Sequence, residues 1–311
     1  MKQRQISTKD LSRREWLELR RSGIGGSDVP VLMGKSPYRS ICQLWEEKTG
    51  KAPVEEKGNE FTYWGTVMEP ILRKEFTKRT GLCVRQKHAL IFHKKIPYLF
   101  ADLDGIATDE TGERCIFEAK TASQYKAEQW EHGKVPQEYV LQVQHYLEVM
   151  GMRKAYVAAL IGGNQFVWRT IYRDEQLVSE ILGQEKRFWD YVTAGMEPPA
   201  DGSPATGRYF DEKYGHSEPV NIQLDDSLYP VFEAYDRIQE ELAVLNTEKE
   251  RIANQFKQTL GACEQGTIGE RVVSWKPVLR RTLDGKRLKE EQPDVFQKYE
   301  TETSYRRLTV A

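Results

Sequence analysis

Cysteine is scarce in this chain of 311 residues, with four copies at positions 42, 83, 115 and 263. Structural zinc sites and iron–sulfur clusters are held by cysteines at short, regular spacings, and these four positions match no such motif. We therefore expect reduced and mostly buried thiols, and no iron–sulfur cluster.

Net charge is also nearly absent, because 46 Lys and Arg residues face 47 Asp and Glu residues. This balance excludes a strong general attraction to nucleic acid, so any phosphate binding must come from local basic clusters. No apolar run approaches the roughly 20 residues that a membrane span needs, and the first residues lack an apolar signal region. We expect a soluble cytoplasmic protein with no membrane partner.

The most informative stretch is 98–121, where two runs rich in β-branched and aromatic residues flank a polar turn. This pattern predicts a β-hairpin. With Thr111 at the centre of the loop, Asp104 lies directly opposite Glu118, and Lys120 points to the same face as Glu118. Facing carboxylates repel at a separation of roughly 5 Å, so a divalent cation between them is the simplest source of stabilisation.

Two carboxylates and an ammonium group suit phosphoryl chemistry. Mg²⁺ binds through few carboxylates and retained waters, and it polarises a phosphoryl oxygen. A nearby lysine can orient or deprotonate the attacking water. The alternative is a surface hairpin with a cross-strand ion pair between Asp102 and Lys120, and the residues alone leave both interpretations open.

A glycine-rich segment near the N-terminus predicts an anion site. A helix is expected over 13–21, and residues 25–28 then start a second, short helix. Free backbone N–H groups at such a start bind anions, and Arg21 and Ser27 flank it. An ordinary loop with an N-cap serine is the alternative.

The helix expected over 61–80 places Glu69 at the edge of its apolar face. A half-buried glutamate is costly unless it is paired or binds a metal. Metal ligation and a helical ion pair with Arg73 both remain open.

A later helix, opened by Pro136 and ending near Gly151, places Gln142 and Tyr146 on one side because they are four residues apart. They are candidates for supporting groups near a metal. The alternative is that Tyr146 belongs to the core and Gln142 to the surface.

In their order along the chain, four motifs resemble the YqaJ-like viral recombinase family, which includes lambda exonuclease and belongs to the PD-(D/E)XK nucleases. The motifs are Arg21–Asp28, Trp64–Pro70, the hairpin with Asp104-Gly105 and Glu118-Ala119-Lys120, and Tyr139–Tyr146. The resemblance covers roughly residues 10–195. Leu103 stands where the family name has proline.

The resemblance implies an Mg²⁺-dependent 5′-to-3′ exonuclease on double-stranded DNA ends, which generates 3′ single strands for phage-type recombination by strand annealing. It assigns metal binding to Asp104, Glu118, the Ala119 carbonyl and Glu69, water activation to Lys120, support to Gln142 and Tyr146, and the 5′-phosphate to Arg21 and Ser27. Mn²⁺ is expected to substitute for Mg²⁺. The alternatives are a non-catalytic DNA-end-binding recombination scaffold and a structure-specific endonuclease.

The resemblance also implies partners. These are double-stranded DNA ends, a single-strand annealing protein and further copies of the chain, with a trimer favoured. The expected location is the cytoplasm of a bacterium, or of a bacterial host of a phage or prophage.

The order of elements predicts an α/β (α+β) sandwich, with a restriction-endonuclease-like core of helices flanking a central mixed sheet. We assign 1–195 to this core, 196–226 to a linker, 227–260 to a long helix and 261–311 to a small β-α-β piece. Apolar residues of the long helix alternate in steps of three and four, which predicts a coiled-coil seam. Its partner helix can belong to the same chain or to another subunit.

Overall fold

The computed structural model describes residues 3–54 and 58–310. The chain divides into two compact units, Met1–Gly215 and His216–Ala311. The boundary therefore falls inside the segment 196–226 that was expected to be a linker. A helix, Pro204–Lys213, occupies part of that segment and belongs to the first unit. Its Tyr209 hydroxyl donates a hydrogen bond to Glu46 Oε1 at 2.6 Å.

The first unit contains nine strands and seven helices in its described residues. The strands are β1 (Gln5–Ser7), β2 (Ile24–Gly25), β3 (Cys83–Arg85), β4 (Ala89–Phe92), β5 (Leu99–Asp102), β6 (Gly105–Thr108), β7 (Arg114–Ala122), β8 (Lys154–Ile161) and β9 (Gln165–Tyr172). The helices are α1 (Arg13–Arg21), α2 (Val29–Leu32), α3 (Ile41–Lys48), α4 (Glu60–Thr80), α5 (Gln137–Met150), α6 (Glu175–Ala194) and α7 (Pro204–Lys213). The helices expected over 13–21 and 61–80 are confirmed.

The strands form two mixed sheets. One has the order β1-β4-β5-β2, and the other has the order β3-β6-β7-β8-β9. Each sheet contains one parallel pair, β2 with β5 and β7 with β8. The expected mixed α/β architecture is confirmed, but the strand predicted before the central turn is divided: β5 ends in the first sheet, and Leu103 and Asp104 lead the chain into β6 of the second.

Helix α5 fills the space beside both sheets. Its residues 141–147 are all buried, and its apolar side chains join the main core cluster. Helix α4 covers another part of the five-stranded sheet, where Phe76 packs on Phe117 with ring centres 5.1 Å apart. The polar side chains of α5 that face β7 are therefore held in a dry and rigid environment.

The second unit is built around one long helix, α8 (Tyr229–Leu260). It is followed by the hairpin β10 (Gln265–Ile268) and β11 (Arg271–Ser274) and by the short helices α9 (Gly285–Glu291) and α10 (Pro293–Tyr299). The long helix is confirmed, whereas the final strand expected over 305–310 is wrong, since those residues form no ladder with any described strand. A strand forms only where a neighbouring strand can pair with its backbone N–H and C=O groups. In the second unit, β10 pairs with β11 (residues 271–274).

None of the described helices combines the length and the apolar character needed to cross a bilayer.

Candidate active site

The junction between the two sheets positions Asp104. Strand β6 pairs with β7 so that Gly105 lies opposite Phe117, which is the register predicted from the turn. Asp104, immediately before β6, accepts a hydrogen bond through Oδ2 from the Ala119 backbone N–H at 2.8 Å. The Arg73 guanidinium donates to the Asp104 carbonyl at 2.7 Å. The carboxylate is thus fixed from β7 and the Asp104 backbone from α4, and Arg73 forms no ion pair with Glu69 within 4 Å.

Strand β7 and helix α5 together build a network around Glu118. Glu118 Oε1 accepts from Lys120 Nζ and from Gln142 Nε2, each at 2.7 Å. Lys120 also donates to Gln142 Oε1 at 3.0 Å, and Gln142 Nε2 donates to the Tyr146 hydroxyl at 3.1 Å. The structure therefore brings together four residues that the sequence separates by up to 28 positions, and Gln142 is buried and not on the surface.

The alternative ion pair between Asp102 and Lys120 is wrong. Asp102 accepts instead from the indole N–H of Trp16 at 3.0 Å. Asp102 lies in β5, in the other sheet, so the separation of the two sheets at Leu103 keeps it from Lys120.

The carboxylates of the site disfavour one another's charge. Burial and the nearby charge of Asp104 raise the pKa of Glu118 to about 8. Burial and the same Asp104 raise the pKa of Glu69 to about 7. Burial likewise raises the pKa of Asp104. Ionising all three carboxylates is costly unless additional positive charge is present, and this is the electrostatic character of a cation site.

Lys120 is held as an ammonium group. Burial opposes its charge, but the carboxylates of Glu118 and Asp104 outweigh that effect and raise its pKa. A lysine with a raised pKa is a poor general base and a good hydrogen-bond donor. The geometry thus favours orientation of water or phosphate by Lys120 over removal of a proton.

The donor set fits a hard divalent cation. Glu118 Oε2 is buried and has no hydrogen-bond partner among the described residues, although a buried carboxylate oxygen ordinarily has one. The other oxygens proposed as ligands belong to Asp104, Glu69 and the Ala119 carbonyl, and Mg²⁺ prefers such oxygens. No group of three or more His, Cys, Asp or Glu side chains in 3–54 and 58–310 is already assembled around a metal position.

A second set of polar groups lies at the start of α2. Residues Gly26–Asp28 form a 3-10 turn, and the exposed Ser27 Oγ accepts from Arg20 at 2.5 Å. The expectation that Arg21 lies beside Ser27 is wrong. Arg21 donates to the Ala52 carbonyl at 2.5 Å and lies 3.7 Å from Glu18.

Helix geometry explains the difference between the two arginines. Successive residues of a helix project about 100° apart, so Arg20 and Arg21 cannot face the same loop. Arg20 lies four residues after Trp16 and therefore on the same side of α1. That spacing is the signal in the sequence that would have selected Arg20.

Asp28 is the buried anchor of this loop, and no sequence pattern marked it as a site residue. Its Oδ2 accepts from the Gly25 backbone N–H at 3.0 Å and from Lys48 Nζ at 2.8 Å. Arg39 and Arg20 lie 3.6 Å and 3.9 Å from its Oδ1. Burial alone would raise the pKa of Asp28, but these three cations hold it well below its ordinary value.

Both sets of residues line one cleft of about 1050 Å³. Its lining includes Arg20, Ser27, Glu69, Asp104, Glu118 and Lys120. Gly26, beside Ser27, lies against α5, because a Cβ atom at this position would lie only 2.5 Å from the Tyr146 ring. Arg21 lines a different cavity, of about 720 Å³.

The chain is similar to known proteins. The YqaJ-like viral recombinase domain family matches residues 15–153, which include both sets of cleft residues. The uncharacterized protein YqaJ of Bacillus subtilis (strain 168) is 39% identical over 305 residues, a match that covers 97% of this chain and 95% of that protein.

One solved structure shares this fold. The structure of LHK-Exo in complex with dAMP has a TM-score of 0.50 and 23% identity, covering 65% of this chain and 97% of that one. A second structure, an alkaline exonuclease (LHK-Exo) from Laribacter hongkongensis, has a TM-score of 0.49 and 23% identity, covering 58% of this chain and 93% of that one. Since the Bacillus relative matches along nearly its whole length, the chain belongs to the YqaJ-like viral recombinase family.

Proposed function

We propose that this protein is a metal-dependent exonuclease that degrades double-stranded DNA from 5′ ends. The observation that carries the proposal is the single cleft that is lined both by the carboxylate–lysine set and by the hydrogen-bonded pair Arg20 and Ser27. Membership of a viral recombinase family and the exonuclease activity named for LHK-Exo support it. The 3′ single strands left behind are substrates for strand annealing, and a single-strand annealing protein is the partner proposed on that basis.

The proposed ligands of Mg²⁺, or of Mn²⁺ in its place, are Asp104, Glu118, the Ala119 carbonyl and Glu69. When bound, the metal supplies polarisation of the phosphoryl group and a lowered pKa for water. Lys120 donates a hydrogen bond that orients the water or a phosphate oxygen. Gln142 and Tyr146 keep Glu118 and Lys120 in register from the buried side of the site.

The end-binding residues in this proposal are Arg20 and Ser27, and Arg21 has no part in it. A terminal phosphate carries more negative charge than an internal phosphodiester, and a guanidinium group binds it through two parallel hydrogen bonds. The Ser27 hydroxyl adds a donor at the first turn of a helix start. The loop is therefore suited to the 5′-phosphate of a DNA end.

We also propose a homo-oligomer, with a trimer favoured. The first 100 residues carry 20 Lys and Arg against 11 Asp and Glu, but the whole chain is nearly neutral, so general attraction to DNA is limited. A closed ring with head-to-tail interfaces would retain DNA by enclosing it instead.

Digestion of matched linear and circular duplexes, with and without Mg²⁺, tests the central proposal. An exonuclease degrades only the linear DNA and only with the metal. Nicking of the circle would favour the structure-specific endonuclease, and end binding without any cleavage in Mg²⁺ or Mn²⁺ would favour the non-catalytic scaffold. A comparison of 5′-phosphorylated with 5′-hydroxyl ends then tests the pocket.

A further inference from the structure

Trp16 lies between the proposed phosphate pocket and the junction of the two sheets. It is half-buried in α1, lines the cleft, and donates through its indole N–H to Asp102 Oδ2 at 3.0 Å. Asp102 is the last residue of β5 and lies two positions before Asp104. The indole is therefore attached to the segment that also positions a proposed metal ligand.

The ring of Trp16 supports Arg20. The guanidinium carbon of Arg20 lies 4.7 Å from the ring centre, within the range of a cation–π interaction. From this position the guanidinium donates to Ser27 Oγ at 2.5 Å. The side chain of Arg20 is 19% exposed, so part of its charge remains available to the cleft.

Arg20 has a competing attraction. Asp28 is fully buried behind the loop, and its Oδ1 lies 3.9 Å from the Arg20 guanidinium. A closer ion pair with Asp28 would draw the guanidinium away from the cleft. Stacking on the Trp16 ring opposes that movement and also restricts a side chain that otherwise samples many rotamers.

We propose that Trp16, anchored by Asp102, is a positioning residue that holds Arg20 ready for the terminal phosphate. This inference rests on the proposed end-dependent exonuclease. Trp16 holds the guanidinium of Arg20 in position by stacking, and Asp102 holds the Trp16 ring in position by a hydrogen bond. The arrangement gives selectivity for phosphorylated ends because the guanidinium is in place before the DNA arrives.

The test measures the ratio of kcat/KM on 5′-phosphorylated ends to that on 5′-hydroxyl ends. This ratio cancels changes in folding or in the metal site, which affect both substrates equally. Trp16→Leu should lower the ratio roughly 3- to 30-fold, the range expected for loss of a cation–π contact. Trp16→Phe retains a ring but loses the N–H, so its ratio should lie between those of Trp16→Leu and the wild type. Trp275→Leu, in the second unit, is the matched control and should leave the ratio unchanged.

Two substitutions test whether Asp102 acts as the hydrogen-bond acceptor of the Trp16 indole. Asp102→Asn retains an oxygen that accepts from the indole and should keep the ratio within about twofold of the wild type, since one hydrogen bond is preserved. Asp102→Ala removes the acceptor and should lower the ratio as Trp16→Phe does. Equal ratios for the Ala and Asn variants would overturn the anchoring role.

A double-mutant cycle shows whether Trp16 acts through Arg20. In an Arg20→Ala background, Trp16→Leu should have no further effect on the ratio. An additive effect, or a normal ratio in Trp16→Leu alone, would overturn the inference while leaving the pocket intact. A wild type without preference for phosphorylated ends, or an unaffected Arg20→Ala variant, would instead refute the pocket of the proposed function.

Discussion

The two units of the chain differ in what they bury. The first unit buries whole aromatic rings, such as Phe76 and Trp130, together with charged groups, such as Asp28 and Glu118. The second unit has no buried residue among 216–310. Burial raises the pKa of a carboxylate, so the comparison explains why the described carboxylates with a raised pKa, Glu69, Asp102, Asp104 and Glu118, all lie in the first unit.

The second unit instead exposes an apolar stripe. Along α8, apolar side chains in the heptad positions have exposures that range from 39% at Tyr235 to 64% at Leu245. An amphipathic helix gains most of its stability from packing of its apolar face. While that face is exposed, packing does not stabilise the helix. The coiled-coil seam stays a prediction. Packing of α8 against a partner helix would bury its apolar stripe, and the second unit would then have buried side chains as the first unit does.

The largest difference between the units should appear in catalysis. Lys120→Ala should lower the cleavage rate by roughly 10²- to 10⁴-fold, because the water or phosphate loses its orienting donor. Lys249→Ala, in α8, is the matched control and should retain the wild-type rate. Rates are measured on linear duplex in Mg²⁺, and binding is measured separately. Near-normal turnover in Lys120→Ala would remove the hairpin from the proposed active site.

Side-chain truncation should separate the units by stability. Phe76→Ala removes a fully buried ring and should reduce the free energy of unfolding by about 3–5 kcal/mol. Phe256→Ala, whose ring is 48% exposed, should change it by less than about 0.5 kcal/mol. Denaturant unfolding followed by circular dichroism gives both values. A large loss at Phe256 would show that α8 is packed against a partner in solution.

Acid should weaken the first unit through Asp28. Its pKa is lowered in the fold, so its contribution to stability is present above its ordinary pKa near 4 and is lost as the pH falls through the lower, folded value. Between pH 7 and pH 3, the wild type should therefore lose on the order of 1 kcal/mol more than Asp28→Asn. Asp294→Asn, in the second unit, should follow the wild-type curve, and identical curves for all three proteins would contradict the prediction.

Deletion of the second unit should have the smallest effect on cleavage and assembly. A chain ending at Gly215 retains every residue that lines the cleft. We expect it to cleave linear duplex within about threefold of the full chain and to keep the same oligomeric state by light scattering. A truncated protein that becomes monomeric would assign assembly to α8, and a monomeric full chain would refute the proposed ring.

The sequence predicted those parts of the fold that depend on local pattern. Helices α1, α4 and α8 followed from caps and apolar spacing, and the hairpin register followed from the position of Thr111 in its loop. The division of the first strand at Leu103 was not predicted, because β5 and β6 read as one β-rich run and only their different neighbours place them in different sheets.

The candidate site was predictable to the same extent. Asp104, Glu118 and Lys120 lie within one hairpin, so local register was enough to group them. Arg21 was chosen by proximity in the sequence to the glycine loop, whereas the orientation of α1 selects Arg20. Asp102 was assigned to Lys120 because its true partner, Trp16, lies 86 positions away.

The contact between Gly26 and Tyr146 has a consequence for cleavage. With no side chain between the end-holding loop and α5, the loop rests directly on the helix that supports Glu118. In the proposed function, this contact sets the distance between the terminal phosphate and the proposed metal site. A methyl group at Gly26 would push the loop away from α5, and the bond to be cut would then lie out of line with that site.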